Sequence, residues 1–585
     1  MSRRFPPALC ALIFAICIGT HPSSSFAATS TGGACPSAAN YLSSTTPQTG
    51  GGQGSVTLAS LGVTSCFYIS AAGSDSNSGV DENHPWLHAP KMPACSSTCA
   101  SVTPSAGTGF IFRGGDTWHF TSGSVLTGGT ISISQSGTSS SPIYWGIDPG
   151  WSSTSSFARP IFSMDNPLST SFVSSCATAD DNSSIFFSIS GSHNWFDGFE
   201  FTGACWNGNP TGMIFSVGTN NTFARMYMHG WTAGTSASDD MWHFAGGPGA
   251  GGTTNTYLFN VIDGVDSTAG ALCNSSTCVA SVWSGGGVPS PIPATLFPFV
   301  DCGTLAYNVV RHASQGCEAN NTGMIHDNLF EFLFEPGYGR HGNVIESIGG
   351  TSGSTCYFYN NVTRNTNEGV NWWPQCSTFY VFNNVWENSG HYAPDPNGLM
   401  LSPTGLSGSG TVTAYVFNNT FQANKAQAGP ANSATPSWAS GSTVSFENNQ
   451  ILDFTSIGGF FTCTSGDSCD VNDSGGEVFQ TTAAANAQGY VLSNNYAPSA
   501  ASNATVGAGN SGSYLCSQMS NSAAATACAS ATSGGVVEQS GWGGKIATYS
   551  AIALAQRTGS WDAGAYQFTN ANSLAPPTGL AAQIQ

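Results

Sequence analysis

The feature that most constrains this chain is a short phrase, an asparagine followed by β-branched and aromatic residues, which recurs between Asp301 and Asn424. The phrase recurs about every 20 residues, with a variable excess. Such spacing is typical of a stacked repeat whose insertions fall in loops. The copies are Phe259–Asp263, Tyr307–Arg311, His326–Glu331, His341–Glu346, Tyr359–Arg364, Phe382–Glu387, Phe417–Gln422 and Phe446–Ile451.

The chemistry of one copy indicates the type of repeat. Its apolar run is too short for a helix and suits a strand. Asparagine tolerates a tight corner and bonds to nearby backbone. Coils repeated in register would place each asparagine above the last, so the amides would form a ladder along the axis. The pattern predicts an all-β, right-handed parallel β-helix in a single domain. A leucine-rich horseshoe would need Leu at fixed positions, and Leu is sparse here.

At these asparagine phrases the chain resembles the pectin-lyase-like superfamily of secreted parallel β-helix proteins. No single family within it is identified. The resemblance implies that the asparagine corner lies between the second and third strands of each coil. It also implies that the substrate groove runs along the first strand, as in the polysaccharide lyases and polygalacturonase-like hydrolases of the superfamily.

The amino terminus predicts export. Arg3 and Arg4 precede an apolar stretch, Ala8–Gly19, which is too short to span a bilayer, and Ser25–Ala27 offers small residues for cleavage. We therefore expect a secreted, extracellular protein with no membrane span. The predicted divisions are a signal peptide at 1–27, an N-terminal extension and cap at 28–104, the β-helix at 105–500, and a closing strand region with a linker-like tail at 501–585.

The net negative charge of the chain limits the classes of ligand that it can bind. Without the leader the chain carries ten basic and 31 acidic residues, a net charge near −21. Such a surface repels nucleic acid and anionic lipid, and also bare polyanionic substrates unless a cation intervenes. We expect a polysaccharide or glycan partner, no nucleic acid, and a monomer.

Cysteine usage agrees with export, because the chain without its leader has 16 cysteines, an even number. Pairing the cysteines in sequence order gives intervals of at most 31 residues, which a solenoid permits because each coil contacts only its neighbours. The sequence alone leaves other pairings open. Metal ligation by Cys95 and Cys99 is the alternative, and export argues against it. The expected disulfides are Cys35–Cys66, Cys95–Cys99, Cys176–Cys205, Cys273–Cys278, Cys302–Cys317, Cys356–Cys376, Cys463–Cys469 and Cys516–Cys528.

Carboxylates and tryptophans meet on the segments expected to form the first strand, namely Asp239–His243, Gly316–Glu318, Phe334–Glu335 and Glu368–Trp373. A glycosidase needs an acid, a base or nucleophile, and a flat ring for sugar stacking. The candidate catalytic residues are Asp239, Asp240, Glu318, Glu335 and Glu368. The candidate substrate-binding residues are Trp242, His243, Arg340, His341, Trp372 and Trp373.

Strand spacing predicts the stereochemistry. Parallel strands lie about 4.8 Å apart, so carboxylates on adjacent coils would match the roughly 5–5.5 Å of a retaining pair. Carboxylates two coils apart would approach the roughly 6.5–9.5 Å of an inverting pair. Glu318 and Glu335 are candidates for the first arrangement, and Glu335 and Glu368 for the second.

Three alternatives stay open. Asp239–Asp240 matches the Asp-Asp pair of polygalacturonase-like enzymes, but Arg340–Gly342 replaces Gly-His-Gly and no Arg-Ile-Lys phrase is present, so that mechanism is not transferred. A calcium-assisted polysaccharide lyase could use Arg311, Arg340 or Arg364 as its base. A non-catalytic surface, adhesion or glycan-binding protein is the third.

No cofactor is required by the sequence, and calcium is the one it leaves open. The loop with Asp75, Asn77 and Asp81 could ligate calcium. A plain turn is the reading that we favour for this loop.

Two further expectations concern the asparagine phrases. The residues three positions after each asparagine should form a column on the third strand, facing solvent and joined by ion pairs. Between Asn328 and Asn343 the spacing falls to 15 residues, which predicts a short coil. The predicted column is Asp263, Arg311, Glu331, Glu346, Arg364, Glu387 and Gln422.

Overall fold

The three-dimensional structure is a computed structural model of the 585-residue chain. Residues 1–27, the predicted signal peptide, lie outside the residues that it describes. The described residues are 31–36, 42–47, 53–120, 130–169, 173–178, 186–206, 214–233, 242–246, 254–266, 296–300, 302–313, 316–318, 323–333, 344–346, 354–366, 370–372, 376–389, 399–401, 411–422, 426–428, 441–463, 469–532, 535–549, 554–557 and 559–568.

Strands dominate these residues. Numbered in chain order they are β1 Leu42–Pro47, β2 Gln53–Val56, β3 Ser65–Ile69, β4 Thr108–Gly114, β5 Thr117–His119, β6 Ile131–Ile133, β7 Ile143–Ser152, β8 Ile161–Ser163, β9 Phe187–Ile189, β10 Asn194–Asp197, β11 Glu200–Thr202, β12 Cys205–Trp206, β13 Ile214–Ser216, β14 Thr222–Ala224, β15 Tyr227–Met228, β16 Thr232–Ala233, β17 Trp242–Gly246, β18 Asn255–Leu258, β19 Val261–Asp263, β20 Leu296–Val300, β21 Cys302–Ala306 and β22 Val309–Ala313.

The second half of the chain continues in the same way. Its strands are β23 Cys317–Glu318, β24 Met324–His326, β25 Leu329–Leu333, β26 Ile345–Glu346, β27 Ser354–Tyr359, β28 Val362–Thr366, β29 Val370–Trp372, β30 Cys376–Phe382, β31 Val385–Ser389, β32 Leu399–Leu401, β33 Thr413–Phe417, β34 Thr420–Gln422, β35 Ala426–Ala428, β36 Ser442–Glu447, β37 Gln450–Leu452, β38 Phe461–Cys463, β39 Cys469–Asp473, β40 Val478–Gln480, β41 Ser530–Thr532, β42 Val536–Gly541, β43 Gly544–Tyr549 and β44 Leu554–Gln556. Short helical segments occupy Ala59–Leu61, Ser97–Ala100, Ile457–Phe460, Thr482–Ala487, Leu492–Asn494, Ser513–Gln518 and Ser522–Cys528.

Three long parallel sheets form the body of the molecule. Sheet 1 has 11 strands, in the order β38-β35-β32-β29-β26-β23-β20-β17-β13-β9-β6, and sheet 2 has 13, in the order β3-β4-β7-β10-β14-β18-β21-β24-β27-β30-β33-β36-β39. Sheet 3 has 12, in the order β40-β37-β34-β31-β28-β25-β22-β19-β15-β11-β8-β5. Because each coil adds one strand to each sheet and parallel crossovers are right-handed, the fold is the right-handed parallel β-helix that the sequence predicts.

Stacked aromatic rings fill part of the interior. Alternate side chains of sheet 2 point inward, and their rings follow one another along the axis with centroids 4.4 to 6.3 Å apart. Such pairs are worth about 0.5–1.5 kcal/mol beyond the area that they bury. The rings belong to Phe67, Phe110, Trp145, Phe196, Phe223 and Tyr257.

The predicted asparagine ladder is present at the corner between sheets 2 and 3. The backbone N–H of Asn308 donates to Oδ1 of Asn328 at 2.9 Å, and Nδ2 of Asn308 donates to the same oxygen at 3.0 Å. The same pattern links the other rungs, which are all buried. Stacked amides thus satisfy backbone groups that would otherwise be unpaired inside the protein. The rungs are Asn260, Asn308, Asn328, Asn361, Asn384, Asn419 and Asn449.

The predicted short coil after Asn328 is wrong. Asn328 donates its backbone N–H to Oδ1 of Asn361 at 3.0 Å, 33 residues later, so Asn343 is not the next rung. Asn343 itself lies outside the described residues. The reason is the sheet to which the following residues belong, because β26 pairs with β23 in sheet 1 and not with β25 in sheet 3.

A second asparagine ladder stands at the start of sheet 2 strands, and the sequence analysis missed it. The N–H of Asn194 donates to Oδ1 of Asn221 at 2.9 Å, and the N–H of Asn221 donates to Oδ1 of Asn255 at 3.0 Å. All three residues are buried. This ladder fixes the corner through which sheet 1 strands lead into sheet 2.

Five of the predicted disulfides are confirmed, and each joins neighbouring coils or segments. In each of the other three pairs, Cys273–Cys278, Cys302–Cys317 and Cys463–Cys469, at least one side chain lies outside the described part of the chain. Among the described residues, no helix is long and apolar enough to cross a membrane. The confirmed pairs are Cys35–Cys66, Cys95–Cys99, Cys176–Cys205, Cys356–Cys376 and Cys516–Cys528.

Candidate functional site

Sheet 1 carries the described part of the candidate site. Trp242 and His243 begin β17, Glu318 ends β23 and Trp372 ends β29. The three strands belong to one sheet, separated by β20 and β26. The chain therefore brings segments far apart in sequence to the sheet on which the resemblance places a substrate groove. The candidates that lie outside the described residues are Asp239, Asp240, Glu335, Arg340, His341, Glu368 and Trp373.

The strand register shows that the predicted pairing of Glu318 with Glu335 on adjacent coils is wrong. Strand β25 ends at Leu333 in sheet 3, so Phe334–Glu335 does not supply the next sheet 1 strand. That strand is β26, and it pairs Glu318 with Glu346. Glu346 therefore leaves the sheet 3 column in which the sequence placed it, because the phrase around Asn343 is not a copy of the repeat.

Glu318 and Glu346 occupy facing positions on adjacent parallel strands, whose backbones lie about 4.8 Å apart. The residues before them, Cys317 and Ile345, are fully buried in the core. Since strand positions alternate between faces, positions 318 and 346 belong to the outer face of sheet 1. Like charges at directly opposite positions destabilise a sheet, so this pair is not explained by fold stability.

The row through these positions can be followed along the whole sheet, and we call it the sheet 1 outer row. The two glutamates are the only charged residues of this row, and uncharged residues lie on both sides of them. In register order the row is Ser132, Ser188, Phe215, Gly246, Val300, Glu318, Glu346, Asn371, Met400, Gln427 and Thr462.

Sheet 3 carries a second polar row, the predicted column without Glu346. Its members face one another in register, and we call it the sheet 3 charged row. Arg311 Nε lies 3.0 Å from Glu331 Oε2, and Arg364 Nη1 lies 3.9 Å from Glu331 Oε1, which confirms the expected ion pairs. The row is Asp263, Arg311, Glu331, Arg364, Glu387 and Gln422.

The expectation that this row faces solvent is wrong, because the C-terminal hairpin β42–β43 lies across it. Glu538 Oε1 of β42 accepts from Lys545 Nζ at 2.9 Å and from Arg311 Nη1 at 3.2 Å. Lys545 also pairs with Asp263, whose side chain is fully buried. Arg311 and Arg364, candidate bases of the lyase alternative, are thus held in ion pairs on a different sheet from Glu318.

Burial and neighbouring charges shift two carboxyl groups in opposite directions. Burial raises the pKa of Asp263, but His312, Lys545 and Arg311 outweigh it and hold that pKa well below its usual range. His312 Nδ1 lies 2.6 Å from Asp263 Oδ1. Burial raises the pKa of Glu387 to about 7, although Arg364 partly offsets the effect.

His229 lies between two carboxylates, directly after β15 of sheet 3. Its Nε2 is 2.9 Å from Glu200 Oε1 and its Nδ1 is 2.8 Å from Asp266 Oδ2. Burial lowers the pKa of His229, but the bonds and charges of Asp266 and Glu200 raise it to about 9. His229 is therefore a cation near neutral pH and part of an ion-paired cluster.

In the loop considered as a calcium site, the carboxylate of Asp75 is hydrogen-bonded to other protein groups. Asp75 Oδ1 accepts from the backbone N–H of His88 at 2.9 Å, and Oδ2 lies 2.8 Å from His88 Nδ1. Asp81 likewise accepts from the backbone N–H groups of Asn83 and His84. These contacts close the loop as a turn. Among the described residues, no group of three or more His, Cys, Asp or Glu side chains is arranged to hold a metal ion.

Comparison with known proteins gives remote structural likenesses. No protein-family model matches the sequence, and the search of curated proteins found no match. The chain is similar to a pectate lyase, Pel9A, at 16% identity over 86% of this chain and 96% of that one, with a TM-score of 0.39. A rhamnogalacturonan lyase matches at 12% identity over 70% and 87%, with a TM-score of 0.37.

A further likeness is to the GH136 lacto-N-biosidase of Eubacterium ramulus, at 10% identity over 71% of this chain and 68% of that one, with a TM-score of 0.34. Identities and TM-scores this low carry no functional argument. The class of protein is defined by the three parallel sheets themselves.

Proposed function

We propose that this chain is an extracellular glycoside hydrolase that cleaves a polysaccharide on the outer face of sheet 1, with Glu318 and Glu346 as its two carboxylates. The observation that carries the proposal is their facing register on adjacent strands. The leader-like start and the confirmed disulfides support an extracellular site of action.

The strand spacing favours a retaining reaction. Carboxyl groups on adjacent strands match the roughly 5–5.5 Å separation of a retaining pair. One glutamic acid donates its proton to the glycosidic oxygen while the other carboxylate attacks the anomeric carbon, so the leaving sugar departs as an alcohol. Water, deprotonated by the first residue, then breaks the glycosyl–enzyme ester and restores both groups.

A neighbouring strand supplies a candidate sugar platform. Trp242 begins β17, two strands before that of Glu318, and alternation places its position on the same face as Gly246 of the sheet 1 outer row. Trp372 ends β29 but follows Asn371 of that row, so alternation assigns position 372 to the inner face. A sugar chain running along the axis would cross β17, where a tryptophan can stack on a pyranose ring and still offer its N–H as a donor.

The test is a product assay on a panel of plant and microbial polysaccharides with Glu318→Gln and Glu346→Gln. Each substitution should lower kcat at least about 100-fold, in the range expected for an acid–base or nucleophilic group. The matched control is Glu82→Gln, an exposed residue of the N-terminal part, which should leave activity unchanged.

Three results would contradict the proposal. Unsaturated products that absorb in the ultraviolet, together with loss of activity in a chelator, would establish a calcium-assisted lyase. Glycan binding without turnover anywhere in the panel would establish a binding protein. Hydrolysis that survives both substitutions would place the active site elsewhere.

A further inference from the structure

We infer that the glycan taken by sheet 1 is uncharged, built of neutral sugars and not of uronic acids; this inference rests on the proposed function and names its substrate class. The placement of positive charge in the chain supports this inference. Without its leader the chain has ten basic residues, so the location of each one can be considered. They are Lys91, Arg113, Arg159, Arg225, Arg311, Arg340, Arg364, Lys425, Lys545 and Arg557.

Three of these cations belong to the sheet 3 charged row and its hairpin. Arg311, Arg364 and Lys545 all lie within 4.0 Å of carboxylate oxygens of Asp263, Glu331 or Glu538. They belong to sheet 3 and its hairpin, and not to any strand of sheet 1. These charges are thus already paired with carboxylates on a different sheet.

Three more cations are buried where C-terminal residues pack against the coils. Arg225 Nε donates to Asp197 Oδ1 at 2.7 Å, and the guanidinium of Arg159 lies 5.0 Å from the ring centre of Trp542. Arg557 Nη2 donates to Asn383 Oδ1 at 2.9 Å. Each guanidinium is fixed in packing on the sheet 2 and sheet 3 side of the molecule.

Two cations lie in the N-terminal coils. Lys91 is exposed in the turn that follows β3, and Arg113 is half-buried on β4 of sheet 2. Neither residue belongs to sheet 1. Eight of the ten cations are thus placed away from the sheet 1 outer row.

The described strands of sheet 1 carry two glutamates, Glu318 and Glu346, and neither lysine nor arginine. The segments outside the described residues that precede these strands in the sequence add seven acidic residues, namely Asp180, Asp181, Asp239, Asp240, Glu335, Glu368 and Asp395. The two remaining cations, Arg340 and Lys425, lie outside the described residues, before β26 and β35 respectively. Even with both counted, nine carboxylates oppose two cations.

A polyuronate would bring one further carboxylate with every sugar. Its charges would lie along a row whose own carboxylates already exceed its cations, so each sugar would add like-charge repulsion. A neutral glycan avoids this repulsion and keeps ring stacking and hydroxyl hydrogen bonds. The charge distribution thus disfavours binding of uronates through repulsion along the whole sugar chain, not only at the bond that is cleaved.

The experiment compares neutral polymers with their uronate counterparts, such as galactan with polygalacturonate and cellulose with C6-oxidised cellulose, with calcium and with chelator. We expect kcat/KM to be at least about tenfold higher for the neutral member of a cleaved pair, with the ratio growing at low ionic strength. Hydrolysis that favours the uronate member, or calcium that reverses the preference, would overturn the inference and leave the hydrolase proposal standing. Elimination products would overturn both.

A charge variant tests the physical cause. Gln427→Lys adds a cation to the sheet 1 outer row, while Gln539→Lys adds the same charge at an exposed position of β42. The first should raise kcat/KM for the uronate polymer several-fold at low salt, and the second should not. Equal effects of the two variants would contradict charge as the reason for the selection.

Discussion

The outer faces of sheets 1 and 3 use the same strand geometry for opposite charge patterns. On sheet 3 the register alternates signs, as in Arg311, Glu331 and Arg364, and the hairpin adds Glu538 and Lys545 over the row. On sheet 1 the register brings together two carboxylates. The difference teaches that this chain uses its few cations to stabilise one face and leaves the other with a charge pattern that fold stability does not explain.

The largest effect on stability should come from breaking the buried cluster on sheet 3. Asp263→Asn would leave His312 without its charged partner and Lys545 paired with Glu538 alone, at a cost of about 3–5 kcal/mol in the free energy of unfolding. Denaturant unfolding measures the change, and Glu82→Gln serves as the exposed control. A loss no larger than that of the control would mean that the hairpin contacts do not stabilise the fold.

Stability should also fall as the pH rises above neutrality. The folded-state pKa of His229, about 9, exceeds its ordinary value of 6.5, so its contribution is complete below pH 6.5 and is lost as the pH rises through 9. The shift corresponds to about 3 kcal/mol. His229→Gln should flatten the dependence of unfolding free energy on pH between 6.5 and 9. An unchanged slope in the variant would contradict the contacts described for Glu200 and Asp266.

Glu387 should also make the protein less stable as the pH rises, but here the cause is burial of a carboxyl group and not the loss of ion pairs. Burial raises its pKa from 4.5 to about 7, so the folded state resists ionisation and stability declines as the pH rises from 4.5 through 7. Glu387→Gln should therefore raise Tm at pH 8 more than at pH 4.5. Equal shifts at the two pH values would show that the carboxyl group is not protonated in the folded protein.

The asparagine ladder should show a smaller but local effect. Asn361→Ala removes the Oδ1 that accepts from the N–H of Asn328, leaving a buried donor unsatisfied at a cost of about 1–3 kcal/mol. Hydrogen exchange of the Asn328 amide should accelerate more than that of Asn194, which belongs to the other ladder. Uniform acceleration would mean that the rung acts only through global stability.

The smallest expected change in stability compares removal of one glutamate charge from sheet 1 with removal of one from sheet 3. Glu346→Gln removes one of two like charges at facing positions of sheet 1 and should raise the free energy of unfolding by about 0.2–1 kcal/mol, whereas Glu331→Gln should lower it. Thermal unfolding of the two variants at one pH gives the signs. A loss of stability in Glu346→Gln would indicate that the two glutamates do not repel one another.

Much of the fold could be predicted because its signal is local and repeated. Most asparagine phrases became rungs, since each carries its own strand and corner chemistry. The phrase around Asn343 gave a wrong prediction because its residues match the repeat, although its strand β26 belongs to sheet 1. Its 15-residue spacing was the available warning, because three strands and their corners need about 20 residues.

The candidate site was predictable only in part. The order of strands brought Glu318 and Trp372 to one sheet, but the facing partner Glu346 depends on loop lengths that no local pattern reveals. The burial of the sheet 3 charged row depends on a contact between Asp263 and Lys545, 282 residues apart. Such a long-range contact leaves no periodic trace in the sequence.

The most direct test of the central claim measures activity and unfolding together for Glu318→Gln and Glu331→Gln. The account predicts that Glu318→Gln loses at least about 100-fold in kcat while its unfolding free energy is kept or raised. Glu331→Gln should unfold more easily but keep its kcat when folded. An active Glu318→Gln protein that unfolds early, or a stable Glu331→Gln protein that has lost turnover, would contradict the assignment of function to sheet 1 and of stabilisation to sheet 3.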